Sequence, residues 1–351
     1  MRAAVLYGPR DVRLESINKP TLKPGWILLK VKAAGICGSD LHLYREKTGI
    51  PIASELGEGL YVPGHELAGE ICEIGKNVTG FSLGDRVAVE PTINCGQCKW
   101  CNAGWYNLCA NSRLIGFYYL GGFAEYCAVL ADKCFRIPSG VSYEEAATLD
   151  CIAVGEHAIK RANVSCEDSV AVLGAGSIGL FTAQAAAMAG AREVFVTGTH
   201  EFQLNAARRL NVTEAINAKK ENAVQRILDL TEGKGVDKVI EAVGGATPLV
   251  DIATSILRRR GVLVVTGIFV KPIPVEMFSL LTKEITVTGA WGYEYWTHLK
   301  EFSISLEHLS KGKINAKDLI THKFPLDKAS DGFETALNKE KTHSIKVQVL
   351  P

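Results

Sequence analysis

The 351-residue sequence carries 39 basic against 38 acidic residues, a formal charge of +1 that gives it no electrostatic hold on nucleic acid or an acidic membrane surface. With 47% hydrophobic and 22% charged residues it has an ordinary soluble composition, and it is long enough for two domains with sizeable cores. No apolar run approaches the ~18 residues of a spanning helix, and the opening Met1–Leu6 is no signal peptide, so a reducing cytoplasmic compartment is expected and disulfides are disfavoured.

Residues 1–140 read as short β segments, such as 26–32 and 84–89, punctuated by Gly, Pro and Asp turn signals; a compact β-rich domain is predicted. Two stretches within it bear metal-ligand chemistry. The run from Cys37 to His42 and the triplet Gly64-His65-Glu66 bring a thiol, an imidazole and a carboxylate, each suited to zinc. Taken singly, a Cys or a His is more often packed or solvated than a ligand. Between them the polar segment from Tyr44 to Leu60 has three glutamates that would suit a polyol or an amino group, and it reads equally as a solvated loop.

Further along, Cys95, Cys98, Cys101 and Cys109 follow the pattern C-x2-C-x2-C-x7-C. Thiolates spaced this closely on a Gly-containing loop converge tetrahedrally on zinc, and four protein sulfurs leave no open position, so such a site is structural. A disulfide-stapled loop, a redox pair and an iron–sulfur site are the competing readings. Six cysteines lie outside the quartet, at Cys37, Cys72, Cys127, Cys134, Cys151 and Cys166, most of them expected as small buried hydrophobes.

Ser142 with Glu145 makes a capping box, so a helix is expected to start there. From about 168 to 290, apolar runs at 169–173, 193–197, 237–241 and 262–266 alternate with helical stretches, which predicts βαβ units and a parallel sheet. Gly174-Ala175-Gly176-Ser177-Ile178-Gly179 follows the first run directly and opens a helical stretch, the setting a dinucleotide-binding loop requires. Gly174 permits the tight turn, Gly176 the approach of backbone to pyrophosphate, and Gly179 the packing of helix on strand. The second run ends in Thr197-Gly198-Thr199-His200, without the carboxylate that would bind the adenosine ribose hydroxyls and repel a 2′-phosphate. Gly198, Thr199 and His200 therefore favour NADP over NAD, with Arg208 and Arg209 expected too far along the helix to contribute. The tail after about 291 is mixed and is expected to return to the first domain.

Taken together, Gly35–His42, Gly64–Glu66, the cysteine quartet, Gly121–Tyr126 and the later Gly-rich loop make the sequence resemble the zinc-containing medium-chain dehydrogenase/reductase family over nearly its whole length. The stretches Val89–Pro91, Gly104–Cys109 and Ala153–Ala158 resemble its sorbitol, 2,3-butanediol and threonine dehydrogenase group. The resemblance implies an α/β chain: a GroES-like β-rich catalytic domain, 1–152 plus 292–351, and an inserted Rossmann domain, 153–291, with a doubly wound parallel sheet. It implies two zinc ions, one structural at the quartet and one catalytic, with Cys37 and His65 as ligands of the latter.

By position the third catalytic ligand is Asp150, five residues before Gly155. Family members place Glu there in sorbitol-type enzymes and Asp in certain bacterial secondary-alcohol dehydrogenases. Glu66 is a further carboxylate, on the metal directly or through water; Cys151 is the neighbour to be told apart from Asp150, and Glu156 is left unassigned. Ser39 and His42 match the family's proton relay, on a loop that sets a hydroxyl near the substrate and an imidazole near the surface. These parts imply zinc as a Lewis acid on an alcohol oxygen, proton removal through Ser39, and reversible hydride transfer to NAD(P).

The expected substrate is a small alcohol or ketone, with no nucleic acid or membrane partner, in a homotetramer or homodimer. Phe117, Tyr118, Trp291 and Tyr293 are candidate pocket walls. Polyol, vicinal diol, amino alcohol and simple secondary alcohol remain open. The competing functions are a zinc-independent enone or quinone reductase of the same superfamily, a zinc-ribbon nucleic-acid module, and a non-catalytic protein derived from a dehydrogenase.

Overall fold

The computed structural model describes residues 1–46, 56, 60–245, 247–269 and 271–351. The chain divides into two compact units, Met1–Asp150 with Glu294–Ser310 and Ala316–Pro351, and Cys151–Tyr293 with Lys311–Asn315. The short return segment joins the second unit through Gln184, which donates to the Asn315 carbonyl at 3.2 Å and accepts from its N–H at 2.7 Å.

The first unit is built on a seven-stranded sheet. Along its path lie Ile320–Pro325, Lys346–Leu350, Trp26–Gly35, Glu66–Ile74, Arg86–Val89 and Cys134–Arg136, and Tyr126–Leu130 pairs with Trp26–Gly35 off that path. The tail thus completes a sheet begun near the N-terminus: Gln348 stands opposite Gly35, and Ile36 donates to the Val347 carbonyl at 2.9 Å. Alternating apolar side chains from these strands pack with Phe123, Phe333 and Tyr44 into one core.

The second unit is a six-stranded parallel sheet in the order Glu214–Asn217, Glu193–Gly198, Ser169–Leu173, Val236–Glu241, Leu257–Val265, Thr286–Gly289. Strand Ser169–Leu173 is buried along its whole length, as a strand covered on both faces must be, and reads Ser-Val-Ala-Val-Leu accordingly. The strand order reverses beside it, which creates the crevice where such sheets bind ligands. Among the described residues no helix is long and apolar enough to cross a membrane.

The capping box forms as expected: Glu145 N–H donates to Ser142 Oγ at 3.2 Å and Ser142 N–H to the Glu145 carboxylate at 3.0 Å. It starts the short helix Tyr143–Ala146, which leads into Leu149–Ala162 and puts Asp150 in that helix's first turn. Cys127, Cys134 and Cys151 are buried as expected, whereas Cys72, at a register shift in strand Glu66–Ile74, and Cys166, in the turn before strand Ser169–Leu173, are exposed.

Candidate metal centres and cofactor loop

Three ligand-bearing side chains meet where strands Trp26–Gly35 and Glu66–Ile74 pair. Gly35 stands opposite Glu66 in the register, and any Cβ there would collide with the Glu66 carboxylate, so only glycine lets that carboxylate lie across the neighbouring strand. Cys37 follows as the N-cap of helix Gly38–Arg45, its N–H held at 2.9 Å by Asp40. His65 sits just before its strand, on a turn that Gly64 makes with φ +97°. The donor atoms of Cys37, His65 and Glu66 all lie within 4.8 Å of one another.

The electrostatics of this pocket fit a cation. Burial alone would hold the His65 imidazole low, yet the negative groups of Cys37, Asp40 and Asp150 outweigh it and drive its pKa well above the ordinary value. A divalent ion offsets such a concentration of anionic donors around a buried ring. Asp150 lies outside the 4.8 Å group but near enough to act on the His65 charge. Asp40 Oδ1 is 3.8 Å from His65 Nδ1.

One partner was not anticipated. Lys346, on the tail strand and only 2% exposed, pairs with Glu66 and donates to the Ile36 carbonyl at 3.2 Å. It compensates the Glu66 charge inside the sheet. Nothing local in the sequence marks it, because the contact spans 310 positions.

Ser39 and His42 stand on the helix Gly38–Arg45 and not on a loop. The reason is the capping at Cys37 and Asp40, which turns a Gly-Ser-Asp run that reads as loop into a first helical turn. Three residues apart, the two side chains share a helix face. The Ser39 hydroxyl is buried with no hydrogen-bond partner among the described residues. Phe117 packs on the His65 ring at 5.8 Å, while Tyr118 takes the Arg113 guanidinium on its face at 4.6 Å. Trp291 is exposed and Tyr293 is buried in the second unit. The segment 44–60 lies largely outside the described residues.

The quartet converges as well. Cys98 caps the helix Lys99–Asn102, which carries Cys101, and Cys109 ends the turn Tyr106–Leu108, so two short turns aim four thiols at one point. Cys95 Sγ and Cys98 Sγ lie 3.9 and 3.5 Å from Cys101 Sγ. Four sulfurs at ~2.3 Å from one zinc stand ~3.8 Å apart, whereas a disulfide requires ~2.05 Å. The N–H groups of Gln97 and Cys98 pull the Cys95 thiol down to about 6, and the Asn94 amide donates to Cys101 Sγ at 3.4 Å. Cys95 and Cys101 are thus held toward thiolate, the form that binds metal, while burial pushes the Cys109 thiol up to about 11.

In the second unit the Gly-rich loop behaves as its spacing requires. Gly174 has φ +113°. Gly176 caps helix Ser177–Met188 with open space where a side chain would be, and any Cβ at Gly179 would collide with the Gly174 carbonyl. Ala175, Ser177 and Ile178 fill the turn between them. A helix N-terminus that opens on such a loop suits an anionic pyrophosphate. Gly198 ends its strand, Thr199 is exposed, and the half-buried His200 ring stacks on Phe202 at 5.6 Å.

A thiolate–imidazole–carboxylate set in one unit and a dinucleotide loop in the other define a class, the metal-dependent oxidoreductases that work with a nucleotide cofactor. Residues 23–139 match the model of the alcohol dehydrogenase GroES-like domain and residues 177–310 that of zinc-binding dehydrogenases. The chain is 35% identical to sorbitol dehydrogenase of Bacillus subtilis strain 168, covering 100% of this chain and 97% of that protein. It is 32% identical to L-threonine 3-dehydrogenase of Pseudoalteromonas atlantica, over 95% of each. A Sinorhizobium meliloti 1021 protein, described as a zinc-binding dehydrogenase and solved with NADP, superposes with TM-score 0.90 at 29% identity, covering 100% of this chain and 99% of that one. The chain belongs to the zinc-containing medium-chain dehydrogenase/reductase family and acts as a zinc-type alcohol or polyol dehydrogenase.

Proposed function

We propose that the enzyme interconverts a secondary alcohol bearing a neighbouring hydroxyl or amino group with its ketone, using NADP in preference to NAD and two zinc ions per chain. The convergence of Cys37, His65 and Glu66, with a Ser39 hydroxyl two residues after Cys37 that is buried and unpartnered among the described residues, carries this reading. Cys37, His65 and Asp150 would hold the catalytic metal, with Glu66 as a nearby carboxylate steadied by Lys346; Cys95, Cys98, Cys101 and Cys109 would hold the structural one. Bound zinc supplies Lewis acidity toward the substrate oxygen, and the nicotinamide accepts or returns the hydride.

The chain's own part is proton management. Ser39 takes the alcohol proton and His42, on the same helix face, carries it outward. Partial burial, then Arg45, hold the His42 pKa below its ordinary value, so it is neutral at pH 7 and can accept. His42→Asn is expected to lower kcat by about 10²-fold and remove the acid limb of the rate profile, which in the parent lies below the ordinary imidazole range. An unchanged profile in the variant would take His42 out of the relay.

The NADP preference rests on Gly198, with Thr199 and His200 as replacement donors and no carboxylate to repel a 2′-phosphate. A Cβ at Gly198 would come 2.9 Å from Ala175 Cβ and 3.2 Å from Leu204 Cδ2, so Gly198→Asp carries a packing cost besides its charge. Gly198→Ala is the control. Both variants should lose similar stability, and only the Asp variant should shift kcat/KM toward NAD, by about tenfold or more. Equal ratios in the two would remove the electrostatic argument.

A homodimer or homotetramer is supported by the uncovered edge strand Thr286–Gly289, with Met277, Phe278, Leu281 and Val287 exposed in the second unit. None of the ten cysteines is in a disulfide, which suits a cytoplasmic setting.

A further inference from the structure

We propose that Lys220 receives the 2′-phosphate of the cofactor, with Glu201 as the residue that positions it; the inference rests on the NADP preference proposed above. The observations all lie in the second unit. Gly198 stands opposite Asn217 in the parallel pairing of their strands, and Ala218 N–H donates to the Gly198 carbonyl at 2.9 Å. The turn that carries Lys220 therefore runs beside the strand end at which this fold places the adenosine ribose.

Asn217 fixes that turn. Its side-chain oxygen accepts from Lys219 N–H at 3.0 Å, and its carbonyl accepts from the N–H groups of Lys220 and Glu221 at 2.9 and 3.1 Å. Its amide donates to Glu201 Oε2 at 2.9 Å.

Glu201 is the acid closest in sequence to the strand end, and it is already engaged. Arg208 holds Oε1 at 2.8 Å, and Lys220 reaches Oε2 at 2.9 Å beside the Asn217 amide. Lys220, Arg208 and Asn217 hold its pKa down at about 2. Glu201 is thus a fixed anion committed to its partners and does not serve as a ribose acceptor. Two cations against one anion leave a positive excess. Arg208 is tied down further, to Asn205 at 2.6 Å and the Ala215 carbonyl at 3.3 Å, so its guanidinium is committed within this cluster. Lys220 has no other side-chain bond among the described residues, and its side chain is 68% exposed. An ammonium has three donors, so it can keep Glu201 and still turn one toward a phosphate.

The test is calorimetric titration of the purified full chain with NADP, NAD, adenosine 2′,5′-bisphosphate and adenosine 5′-monophosphate. Lys220→Met should weaken NADP and the bisphosphate about tenfold and leave NAD and the monophosphate unchanged within about twofold. Glu201→Gln should leave NAD binding unchanged. Melting temperature checks that the exposed Lys220 variant folds as the parent does. A parent that prefers NADP, with the ratio unaltered in Lys220→Met, overturns the role of Lys220 and leaves the NADP reading standing. A parent that binds NAD more tightly overturns both. Selective loss of NAD affinity in Glu201→Gln makes that carboxylate a ribose ligand and overturns its positioning role.

Discussion

His65→Ala is expected to reduce bound zinc from two ions per chain to one and to lower kcat/KM by on the order of 10³-fold, since the metal supplies several kcal/mol of charge stabilisation in the transition state. The imidazole is 4% exposed and faces Cys37, Asp40 and Asp150, so its removal leaves crowded negative groups with one fewer neutral donor. The quartet is untouched and should keep its ion. Asp150→Asn should weaken the same metal less severely, and Cys151→Ser, a change at a 1% exposed packed thiol, should be milder still. If the Cys151 variant loses metal while the Asp150 variant retains it, the third ligand has been assigned to the wrong residue.

Cys95→Ser should act on stability. Its thiolate is one of four around a point with no open position, and structural zinc contributes folding free energy directly. Loss of several kcal/mol lowers the melting temperature by about 10 °C in a domain of this size. Turnover should fall only as the folded fraction falls. A variant that melts like the parent but has lost turnover would move the quartet into the active site.

How far these sites were legible in the sequence depended on distance along the chain. The quartet and the Gly174–Gly179 loop are local, so spacing alone specifies their geometry, down to the collision that excludes a side chain at Gly179. Cys37 and His65 lie on separate elements, and only the pairing of Gly35 with Glu66 brings them together; residue type suggested them and strand register joined them. Lys346 and the Glu201–Lys220 pair were not legible, because each depends on which strands become neighbours. The relay helix reads as a loop in the sequence because Gly38, Ser39 and Asp40 have loop chemistry until the cap at Cys37 turns them into a first helical turn. Of the pocket aromatics, Phe117 packs on the His65 ring and Tyr118 on the Arg113 guanidinium, contacts set by tertiary neighbours that residue type does not specify.

The central claim, a zinc-dependent dehydrogenase of secondary alcohols, is tested most directly by mixing the zinc-loaded enzyme with a panel of polyols, vicinal diols, threonine and simple secondary alcohols, each with NADP and with NAD, and following the absorbance of the reduced nicotinamide. The account predicts reduction by at least one alcohol with a neighbouring hydroxyl or amino group, faster with NADP, abolished on chelation and absent in His65→Ala. Turnover that survives complete removal of zinc, or reduction of an enone with no alcohol oxidised, would contradict it.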